Sequence, residues 1–344
     1  MNKRKIIGIT MGDPASIGPE ITIKAFLHDE LYEKCNPIVI GDSNVLEQAK
    51  KILGATNLVI HPISNMSEAT FEPRILNVLD MKLVDMEQLK LGEVSSLSGE
   101  AAFQYVNKVI DLALKKEIDA TVTNAFNKEA INLAGHHYSG HTEIYADLTH
   151  TKNYTMMLAH ENLRVVHVST HVSLMEACRR VKKQRVLDCI KIAHEACKDL
   201  GIKNPKIGVA GLNPHSGENG LFGCEEIEEI IPAIKVAKSE GILADGPVPP
   251  DTLFSKALGG WYDIVVAMYH DQGHIPLKVV GFVYNQEEQK WEAVSGVNIT
   301  LGLPIIRTSV DHGTAFDQAG KGTSSELSLI NAIDYAILFA NNRS

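Results

Sequence analysis

The stretch Tyr262-Asp-Ile-Val-Val-Ala-Met-Tyr-His-Asp-Gln-Gly-His-Ile-Pro-Leu-Lys278 joins an apolar run directly to a polar segment. The length and the β-branched content of its first half predict a buried strand. At the end of that strand the chain presents His270, Asp271 and Lys278. Ligands of α/β proteins usually bind at the carboxyl ends of strands, so these side chains indicate a metal or proton-transfer site. The alternative is a single loop histidine whose hydrogen bonds are satisfied locally.

Strand-like and helix-like segments alternate through most of the chain. The clearest are strands at 5–10, 119–123, 163–168 and 206–210, and helices at 98–116, 182–200 and 324–340. This alternation predicts a mainly parallel sheet with helices on its faces. After Lys278 the pattern changes to that of a β-hairpin, with strands at 279–284 and 290–294. A chain of 344 residues exceeds what one core usually serves, which favours one large or two closely joined α/β domains.

The composition argues against several classes of partner. A net charge of −9 with few basic clusters argues against nucleic acid or an anionic membrane. No apolar run approaches the ~20 residues of a membrane span, and no secretory segment follows the first residues. The five cysteines are odd in number and show no CxxC spacing, which is typical of reduced thiols. We therefore expect a cytoplasmic protein that binds neither nucleic acid nor membrane.

Two further histidines, His171 and His215, share the position of His270 just beyond the carboxyl end of a predicted strand. Three neutral imidazoles with an open coordination position form a catalytic site for Zn²⁺ or a similar divalent cation. The spacing of the three histidines fits no short metal motif. Their position at the ends of predicted strands is therefore the only support from the residues themselves for a shared metal site. The alternative is that these histidines, among the 14 of the chain, cap strands or bond to the backbone.

The segment Asp311–Gly322 is a polar loop rich in glycine, followed by a predicted helix. Such a loop suits the adenosine and phosphates of a nucleotide, and the alternative is a flexible surface connection. The turn between Gly12 and Gly18 fits neither GxxxxGK[ST] nor GxGxxG. A nicotinamide cofactor would therefore be held without a Rossmann motif.

Several short motifs together resemble the 4-hydroxythreonine-4-phosphate dehydrogenase (PdxA) family. They span nearly the whole chain in the order of that family: Gly12-Asp-Pro-Ala-Ser-Ile-Gly-Pro-Glu20, Gly140-His-Thr-Glu143, Asn213-Pro-His-Ser-Gly-Glu218, Tyr269-His-Asp-Gln-Gly273, Val297-Asn-Ile-Thr-Leu-Gly-Leu-Pro304 and Thr308-Ser-Val-Asp-His-Gly-Thr-Ala315. More distantly, the first block and the loop after His312 are similar to isopropylmalate and isocitrate dehydrogenases.

This resemblance implies a two-domain α/β fold like that of isopropylmalate and isocitrate dehydrogenases, with mainly parallel sheets and an interdomain cleft. Residues 1–130 with 278–344 would form a cofactor-side domain from both chain ends, and 131–277 a metal- and dimer-forming domain. The family's active site lies at a dimer interface and takes residues from both subunits, so a homodimer is implied. The segment 285–295 is an insertion relative to the usual pattern.

The resemblance also implies roles for individual residues. The family's metal ligands fall on the three histidines at strand ends, and the metal would be Zn or Mg, Mn or Co. The residues implied to bind substrate are His141, Thr142, Lys278, Asn298 and Arg307. The residues implied to bind NAD are His312, Gly313, Thr314, Ala315 and Asp317. Two further candidates come from the residues themselves. Lys128 is the candidate catalytic base, because it follows a strand end and would be desolvated in a closed cleft; the alternative is a solvated lysine in the first turn of a helix. Asp271 is the candidate for orienting a ligand imidazole.

The variants Ser169-Thr-His-Val172 and Gly217-Glu-Asn-Gly-Leu-Phe-Gly223 are closer to a catabolic branch of the family. That branch oxidises C3 of 4-phospho-D-threonate or 4-phospho-D-erythronate with NAD and a divalent metal, and then decarboxylates the product to dihydroxyacetone phosphate. The alternative within the family is the vitamin B6 enzyme, whose substrate, 4-phosphohydroxy-L-threonine, carries an amino group at C2. A metal-dependent hydrolase and a non-catalytic metabolite sensor are the alternatives outside it.

Overall fold

The computed structural model describes residues 4–286, 290–294 and 296–343. The chain folds into two α/β units. The terminal unit comprises Met1–Thr151 and Leu303–Asn341, and the central unit comprises Lys152–Gly302 and Asn342–Ser344. The two-unit organisation agrees with the fold class expected from the sequence.

The strands are numbered in chain order. They are β1 (Ile6–Thr10), β2 (Asn36–Gly41), β3 (Val59–Ile63), β4 (Ile75–Asp80), β5 (Ala120–Thr123), β6 (Thr155–His160), β7 (Leu163–His167), β8 (Lys206–Ala210), β9 (Leu243–Val248), β10 (Ile264–Ala267), β11 (Phe282–Asn285), β12 (Lys290–Val294), β13 (Val297–Leu301) and β14 (Arg307–Val310).

The helices are numbered in the same way. They are α1 (Gly18–Ala25), α2 (Glu30–Lys34), α3 (Ser43–Leu53), α4 (Ser96–Leu114), α5 (Lys128–Leu133), α6 (His141–Leu148), α7 (Leu174–Arg180), α8 (Lys183–Asp199), α9 (Ile231–Ser239), α10 (Pro250–Leu258), α11 (His270–Gly281) and α12 (Leu327–Asn342). Among the described residues, no helix combines the length and the apolar character needed to cross a membrane.

The terminal unit contains a parallel sheet with the strand order β3-β4-β2-β1-β5-β14. Its middle strand β1 is buried on both faces, with Ile7 and Ile9 fully enclosed. Near-continuous apolar strands of this kind are typical of parallel sheets covered by helices. The unit thereby confirms the parallel α/β arrangement expected from the alternation of elements.

The central unit contains a mixed sheet with the strand order β13-β6-β7-β10-β8-β9. The pairs β13–β6 and β6–β7 are antiparallel, whereas β7, β10, β8 and β9 run parallel. Its core includes Leu158, Val165, Leu253, Val265 and Leu277. Because β7, β10 and β8 are neighbours and parallel, their carboxyl ends lie at one edge of the sheet. The three predicted metal ligands follow these three strands.

The structure draws the unit boundaries differently from the expectation based on the family. Residues 131–151 fold with the terminal unit because α6 is packed into it, where the hydroxyl of Tyr145 donates to Thr121 Oγ1 at 3.0 Å. Residues 278–302 fold with the central unit because β13 pairs with β6. The cofactor-binding role of one domain and the metal-binding and dimer-forming role of the other remain predictions.

The local predictions differ from the structure for one helix and two strands, and the hairpin is as predicted. Residues 270–281 form the helix α11, with Pro276 in its interior, although a strand was predicted from residue 279. Strands β4 and β9 were not expected from the sequence pattern. The predicted hairpin is present as the antiparallel pair β11–β12, while residues 287–289 of its turn and residue 295 lie outside the described residues.

Candidate active site

The carboxyl edge of the central sheet brings two of the predicted metal ligands together. His171 follows β7 and His270 is the first residue of α11, directly after β10. The centres of the two imidazole rings are 5.8 Å apart. Two imidazoles that share a zinc ion, each with a nitrogen about 2 Å from the metal, have ring centres roughly 5 to 6 Å apart. The separation therefore fits two ligands of one cation.

His270 is held by its own neighbours in α11. Its Nδ1 lies 2.6 Å from Oδ1 of Asp271, and its ring stacks on that of His274 with 3.6 Å between centres. A carboxylate beside Nδ1 fixes that nitrogen as the protonated one and leaves Nε2 available as a ligand. The contact agrees with the orienting role predicted for Asp271, whose side chain is otherwise well exposed.

A pocket of about 490 Å³ opens beside these side chains. It is lined by Thr170, His171, Val172, Ser173, Leu174, Ala177, Tyr269, His270 and Asp271. Both histidines therefore border a space large enough for a small organic molecule.

His215 lies in a turn of unusual backbone conformation. The residues His215, Ser216, Gly217, Glu218 and Asn219 all have positive φ, between 43° and 82°. Left-handed conformations of non-glycine residues are costly and persist only where the surrounding structure imposes them. The turn that presents His215 is thus a specified conformation and not a relaxed loop.

Glu226 holds the two residues that lead into this turn, Leu212 and Asn213. Its side chain is 1% exposed, and its Oε1 accepts the backbone N–H groups of Leu212 and Asn213 at 2.7 Å each. Its Oε2 accepts a bond from Asn213 Nδ2 at 2.9 Å. Our sequence interpretation missed Glu226, because four glutamates within the five residues Glu225–Glu229 are typical of a solvated helix face.

Within the part of this chain that the structure describes, no group of three or more His, Cys, Asp or Glu side chains is arranged to bind a metal ion. His171 and His270 supply two imidazole donors, and His215 is not the third member of such a group. Imidazole is a preferred donor for zinc and similar cations. The donor chemistry of these two side chains fits a divalent cation.

A second pair of histidines lies behind these ligands. His167, the last residue of β7, is 1% exposed, and its ring centre is 4.7 Å from that of His274. Burial lowers the pKa of His167 to about 3 and that of His274 to about 4, so both rings are neutral near pH 7. The sequence interpretation did not single out His167, since a polar residue that ends a strand is common. Its inward position follows only from the strand pairing.

The terminal unit holds a buried cation among the predicted substrate contacts. Arg307 opens β14, is 3% exposed, and donates from Nη2 to Thr123 Oγ1 at 2.9 Å. Its guanidinium carbon lies 5.6 Å from the ring centre of Tyr145. Burial lowers the pKa of Arg307 to about 10, which still leaves it charged at neutral pH. A buried guanidinium of this kind is a strong binding group for phosphate or carboxylate.

His141 lies near that charge, at the start of α6. Its ring packs on Phe126 with 3.9 Å between centres, and its Nε2 is buried without a hydrogen-bond partner among the described residues. Burial, followed by the positive charges of Arg307 and Lys128, lowers the pKa of His141 well below its usual value. His141 is therefore neutral and has one nitrogen for a ligand. An unsatisfied buried polar atom of this type is a functional-site signal.

The other predicted contacts are placed as follows. Thr142 is next to His141 in α6, whereas Lys278 and Asn298 belong to α11 and β13 of the central unit. Asn298 Nδ2 approaches Met156 Sδ at 2.9 Å. Lys128, the candidate base, is exposed at the start of α5, and its role as a base remains a prediction.

The predicted nucleotide loop follows β14. His312 Nδ1 lies 2.9 Å from Gly313 O, while His312 Nε2 is buried without a partner among the described residues. Ala315 has φ of 44° and starts a short 3₁₀ turn at Phe316–Gln318. A Cβ atom added at Gly313 would meet nothing within 4 Å. The loop thus offers open space beside an enclosed polar nitrogen, which fits a bound nucleotide.

Comparisons with known proteins agree over the full length of the chain. The family "Pyridoxal phosphate biosynthetic protein PdxA" matches residues 33–336. A relative from Oceanobacillus iheyensis, provisionally named D-threonate 4-phosphate dehydrogenase, is 52% identical over 341 residues, which is 99% of each chain. The D-threonate 4-phosphate dehydrogenase of Cupriavidus necator is 45% identical over 340 residues, 98% of each chain.

The fold of a solved relative is also similar. The crystal structure of 4-hydroxythreonine-4-phosphate dehydrogenase from Klebsiella pneumoniae superposes with a TM-score of 0.86 at 42% identity, covering 99% of each chain. The family match covers most of the chain, and these relatives cover almost all of it. The expectation drawn from the sequence motifs is confirmed, and the chain belongs to the PdxA family.

Proposed function

We propose that this chain is an NAD-dependent dehydrogenase that oxidises C3 of a 4-phosphorylated four-carbon hydroxy acid, 4-phospho-D-threonate or 4-phospho-D-erythronate. The oxidation product is a β-keto acid, and loss of CO₂ from it gives dihydroxyacetone phosphate. The observation that carries the proposal is the 45% identity, over 98% of both chains, with an enzyme named D-threonate 4-phosphate dehydrogenase.

The charged side chain of Arg307 and the neutral ring of His141 support binding of such a substrate. Arg307 supplies a charged fork for phosphate or carboxylate, and His141 supplies one free ring nitrogen. Thr142, Lys278 and Asn298 complete the proposed substrate contacts. A substrate with two anionic groups needs more than one cationic side chain, and Lys278 is the second.

The proposed metal ligands are His171, His215 and His270. A divalent cation bound by them supplies Lewis-acid chemistry, which lowers the pKa of an alcohol. Asp271 keeps His270 in the tautomer that binds through Nε2. The neutral His167 and His274 lie behind this ring and add no charge that would repel a cation.

Lys128 is the proposed group that removes the proton of the C3 hydroxyl, directly or through a relay. The positive charge of Lys128 helps to lower the pKa of His141. Because an ammonium group accepts no proton, Lys128 must first release its own proton to solvent before it takes up that of the hydroxyl. The hydride then passes from C3 to NAD⁺, which is held by the loop around His312, Gly313, Thr314, Ala315 and Asp317. This assignment balances one proton and one hydride per alcohol oxidised.

We further propose that the enzyme is a homodimer whose subunits share the metal site. Among the described residues of one chain, His171 and His270 lie close together, and no group of three potential ligands is found. Large apolar side chains near the three histidines are exposed, namely Leu174, Met175, Leu221, Phe222, Ile275 and Val279. Contiguous exposed apolar residues of this kind mark interaction surfaces. A second copy that covers them would also supply His215.

The second candidate is oxidation of 4-phosphohydroxy-L-threonine, the substrate of the vitamin B6 branch. It is favoured by the similarity to the Klebsiella pneumoniae structure of 4-hydroxythreonine-4-phosphate dehydrogenase. The two substrates differ at C2, where one carries a hydroxyl and the other an amino group. A metal-dependent hydrolase accounts for the histidines but not for the nucleotide loop.

A substrate panel tests the proposal. Purified enzyme is incubated with NAD⁺, Zn²⁺ or Mn²⁺, and each of 4-phospho-D-threonate, 4-phospho-D-erythronate and 4-phosphohydroxy-L-threonine, while NADH absorbance is followed. We expect kcat/KM to be highest for one of the two phosphorylated tetronates. A higher value for the amino substrate would favour the second candidate, and no NADH with any of the three would contradict both.

A further inference from the structure

The segment around α1 contacts the predicted nucleotide loop and the residues just beyond it at intervals of three or four residues. The Ile17 N–H donates to Thr314 O at 3.3 Å, Lys24 Nζ donates to Ser324 O at 2.6 Å, and His28 Nε2 lies 2.9 Å from Glu326 Oε1. Residues three or four apart share one face of a helix. One face of this segment is thus aligned along the loop and the chain that follows it, and Glu20 lies in the middle of that face.

Glu20 makes the strongest of these contacts. Its side chain is 2% exposed, and each carboxylate oxygen accepts a backbone N–H of the loop at 2.6 Å, Oε1 from Gly320 and Oε2 from Gly322. Hydrogen bonds to a charged acceptor are about twice as strong as those between neutral groups. The position of Glu20 in the first turn of α1 further stabilises its negative charge.

The loop backbone is shaped around this carboxylate. Gly320 and Gly322 have φ of 81° and 66°, in the left-handed region that favours glycine. Successive N–H groups in such conformations form a concave site for an anion. Here the anion is Glu20 itself, so these two N–H groups are occupied and are not available to a nucleotide phosphate.

We propose that Glu20 is a positioning residue for nucleotide binding. It fixes the carboxyl-terminal end of the loop at residues 320–322, while Ile17 fixes its amino-terminal end at Thr314. The loop residues between these two points then keep the conformation in which they meet the nucleotide. This inference rests on the proposed function, because that proposal assigns the nucleotide to this loop.

The variant Glu20→Gln keeps the size of the side chain but places an amide NH₂ group against a backbone N–H, so one charged hydrogen bond is lost. We expect KM for NAD⁺ to rise about tenfold, because the loss of one charged hydrogen bond corresponds to a change in affinity of about that size. The KM for the phosphorylated substrate and kcat at saturating NAD⁺ should stay within about twofold of wild type. The control is Glu33→Gln, which removes a carboxylate from an exposed position in α2 and should leave all three parameters unchanged.

Hydrogen exchange without nucleotide gives a readout that does not depend on activity. Amides of the segment 313–326 should exchange faster in Glu20→Gln than in wild type, and no faster in Glu33→Gln. If Glu20→Gln fails to fold, Glu20→Asp decides. It keeps the charge but is one methylene shorter, so we expect a smaller rise in KM for NAD⁺ and a smaller gain in exchange.

The outcomes separate this inference from the proposed function. Wild-type enzyme that reduces no NAD⁺ with any phosphorylated substrate contradicts the proposed function. Unchanged hydrogen exchange at 313–326 in Glu20→Gln would then also overturn the clamp, that is, the fixing of the loop by the hydrogen bonds from Gly320 and Gly322 to Glu20. Wild-type activity with an unaltered KM for NAD⁺ in Glu20→Gln overturns the inference alone. A rise in KM for both substrates together would also overturn it, because this indicates a general structural defect.

Discussion

Arg307 is nearly fully buried, donates to a threonine hydroxyl, and lies over a tyrosine ring. A guanidinium binds the oxygens of a phosphate or a carboxylate through paired hydrogen bonds. A phosphorylated substrate offers such oxygens. We therefore expect Arg307 to contribute to substrate binding.

We predict that Arg307→Lys raises KM for the phosphorylated substrate roughly 10- to 100-fold, the equivalent of one or two charged hydrogen bonds. Lysine keeps the charge but cannot form the two-pronged contact or the stacking. Steady-state kinetics at saturating NAD⁺ measure the change. The control is Arg180→Lys, at an exposed ion pair with Glu176, which should behave as wild type. An unaltered KM in Arg307→Lys would remove Arg307 from the binding site.

Asp13 predicts a pH dependence of stability. The residue is fully buried; its Oδ1 accepts the N–H of Ala15, and its Oδ2 has no partner among the described residues. Burial raises the pKa of Asp13 to about 6 from 3.8. The folded state therefore holds this proton at pH values where the unfolded chain has lost it. The stabilising contribution is complete below about pH 4 and is lost as pH rises through about 6.

The free energy of unfolding of the wild type should consequently fall by about 3 kcal/mol from this group between about pH 4 and pH 7. Asp13→Asn cannot ionise and should lack this component. Urea unfolding of both proteins over a pH series measures the difference. The same substitution at the exposed Asp251 should leave the wild-type profile unchanged. Parallel profiles for wild type and Asp13→Asn would show that Asp13 ionises normally.

At the scale of elements, the turn that presents His215 depends on a carboxylate from the following helical segment. Glu226→Gln replaces one acceptor oxygen by a donor, so at least one charged bond to the turn is lost. We expect a loss of about 1.5 to 3 kcal/mol in the free energy of unfolding. The variant should also bind Zn²⁺ about 10- to 100-fold more weakly, as is typical for groups that orient a ligand.

Urea unfolding and zinc titration measure these two effects. Glu228→Gln, two residues away and exposed, is the matched control and should show neither. If Glu226→Gln lost stability but bound zinc as tightly as wild type, then the turn would not position a metal ligand.

The elements that sequence patterns predicted well are those with a regular period. The strands before His171, His215 and His270 were expected from apolar runs, and they are neighbours in the central sheet. The left-handed turn at 215–219 could not be predicted, because it rests on Glu226, whose bonds to the turn depend on the fold. The helix α11 was missed because Pro276 is unfavourable inside a helix, and tertiary packing overrides that preference.

For the candidate site, residue types and sequence positions indicated the candidate side chains. They did not indicate how deeply each side chain is buried or which charges lie next to it. The neutral state of His141 comes from its burial and from the positive charges of Arg307 and Lys128. The proximity of Arg307 to His141 cannot be read from the sequence, because the two residues are far apart in the chain. The clamp by Glu20 joins residues 300 or more apart in sequence. Such contacts follow from the strand order and not from any local pattern.

At the scale of the whole molecule, a shared metal site predicts complementation between inactive variants. If one subunit supplies His171 and His270 and its partner supplies His215, a hybrid of His215→Ala with His270→Ala has one intact site. Random mixing of subunits then places an intact set in about a quarter of all sites. We expect about a quarter of the wild-type rate after the two variants are unfolded and refolded together.

A mixture of His171→Ala and His270→Ala is the control, because both ligands come from the same subunit and every hybrid site lacks one of them. It should stay inactive. Activity in neither mixture would indicate that all three histidines of a site come from one chain, and equal recovery in both mixtures would indicate another division of ligands.

The central claim is that one substrate molecule is both oxidised and decarboxylated. The most direct measurement incubates the metal-loaded enzyme with limiting 4-phospho-D-threonate and excess NAD⁺ and quantifies NADH and dihydroxyacetone phosphate in the same sample. We predict that the two products form in equal amounts until the substrate is exhausted. NADH without dihydroxyacetone phosphate, or no NADH at all, would contradict this account.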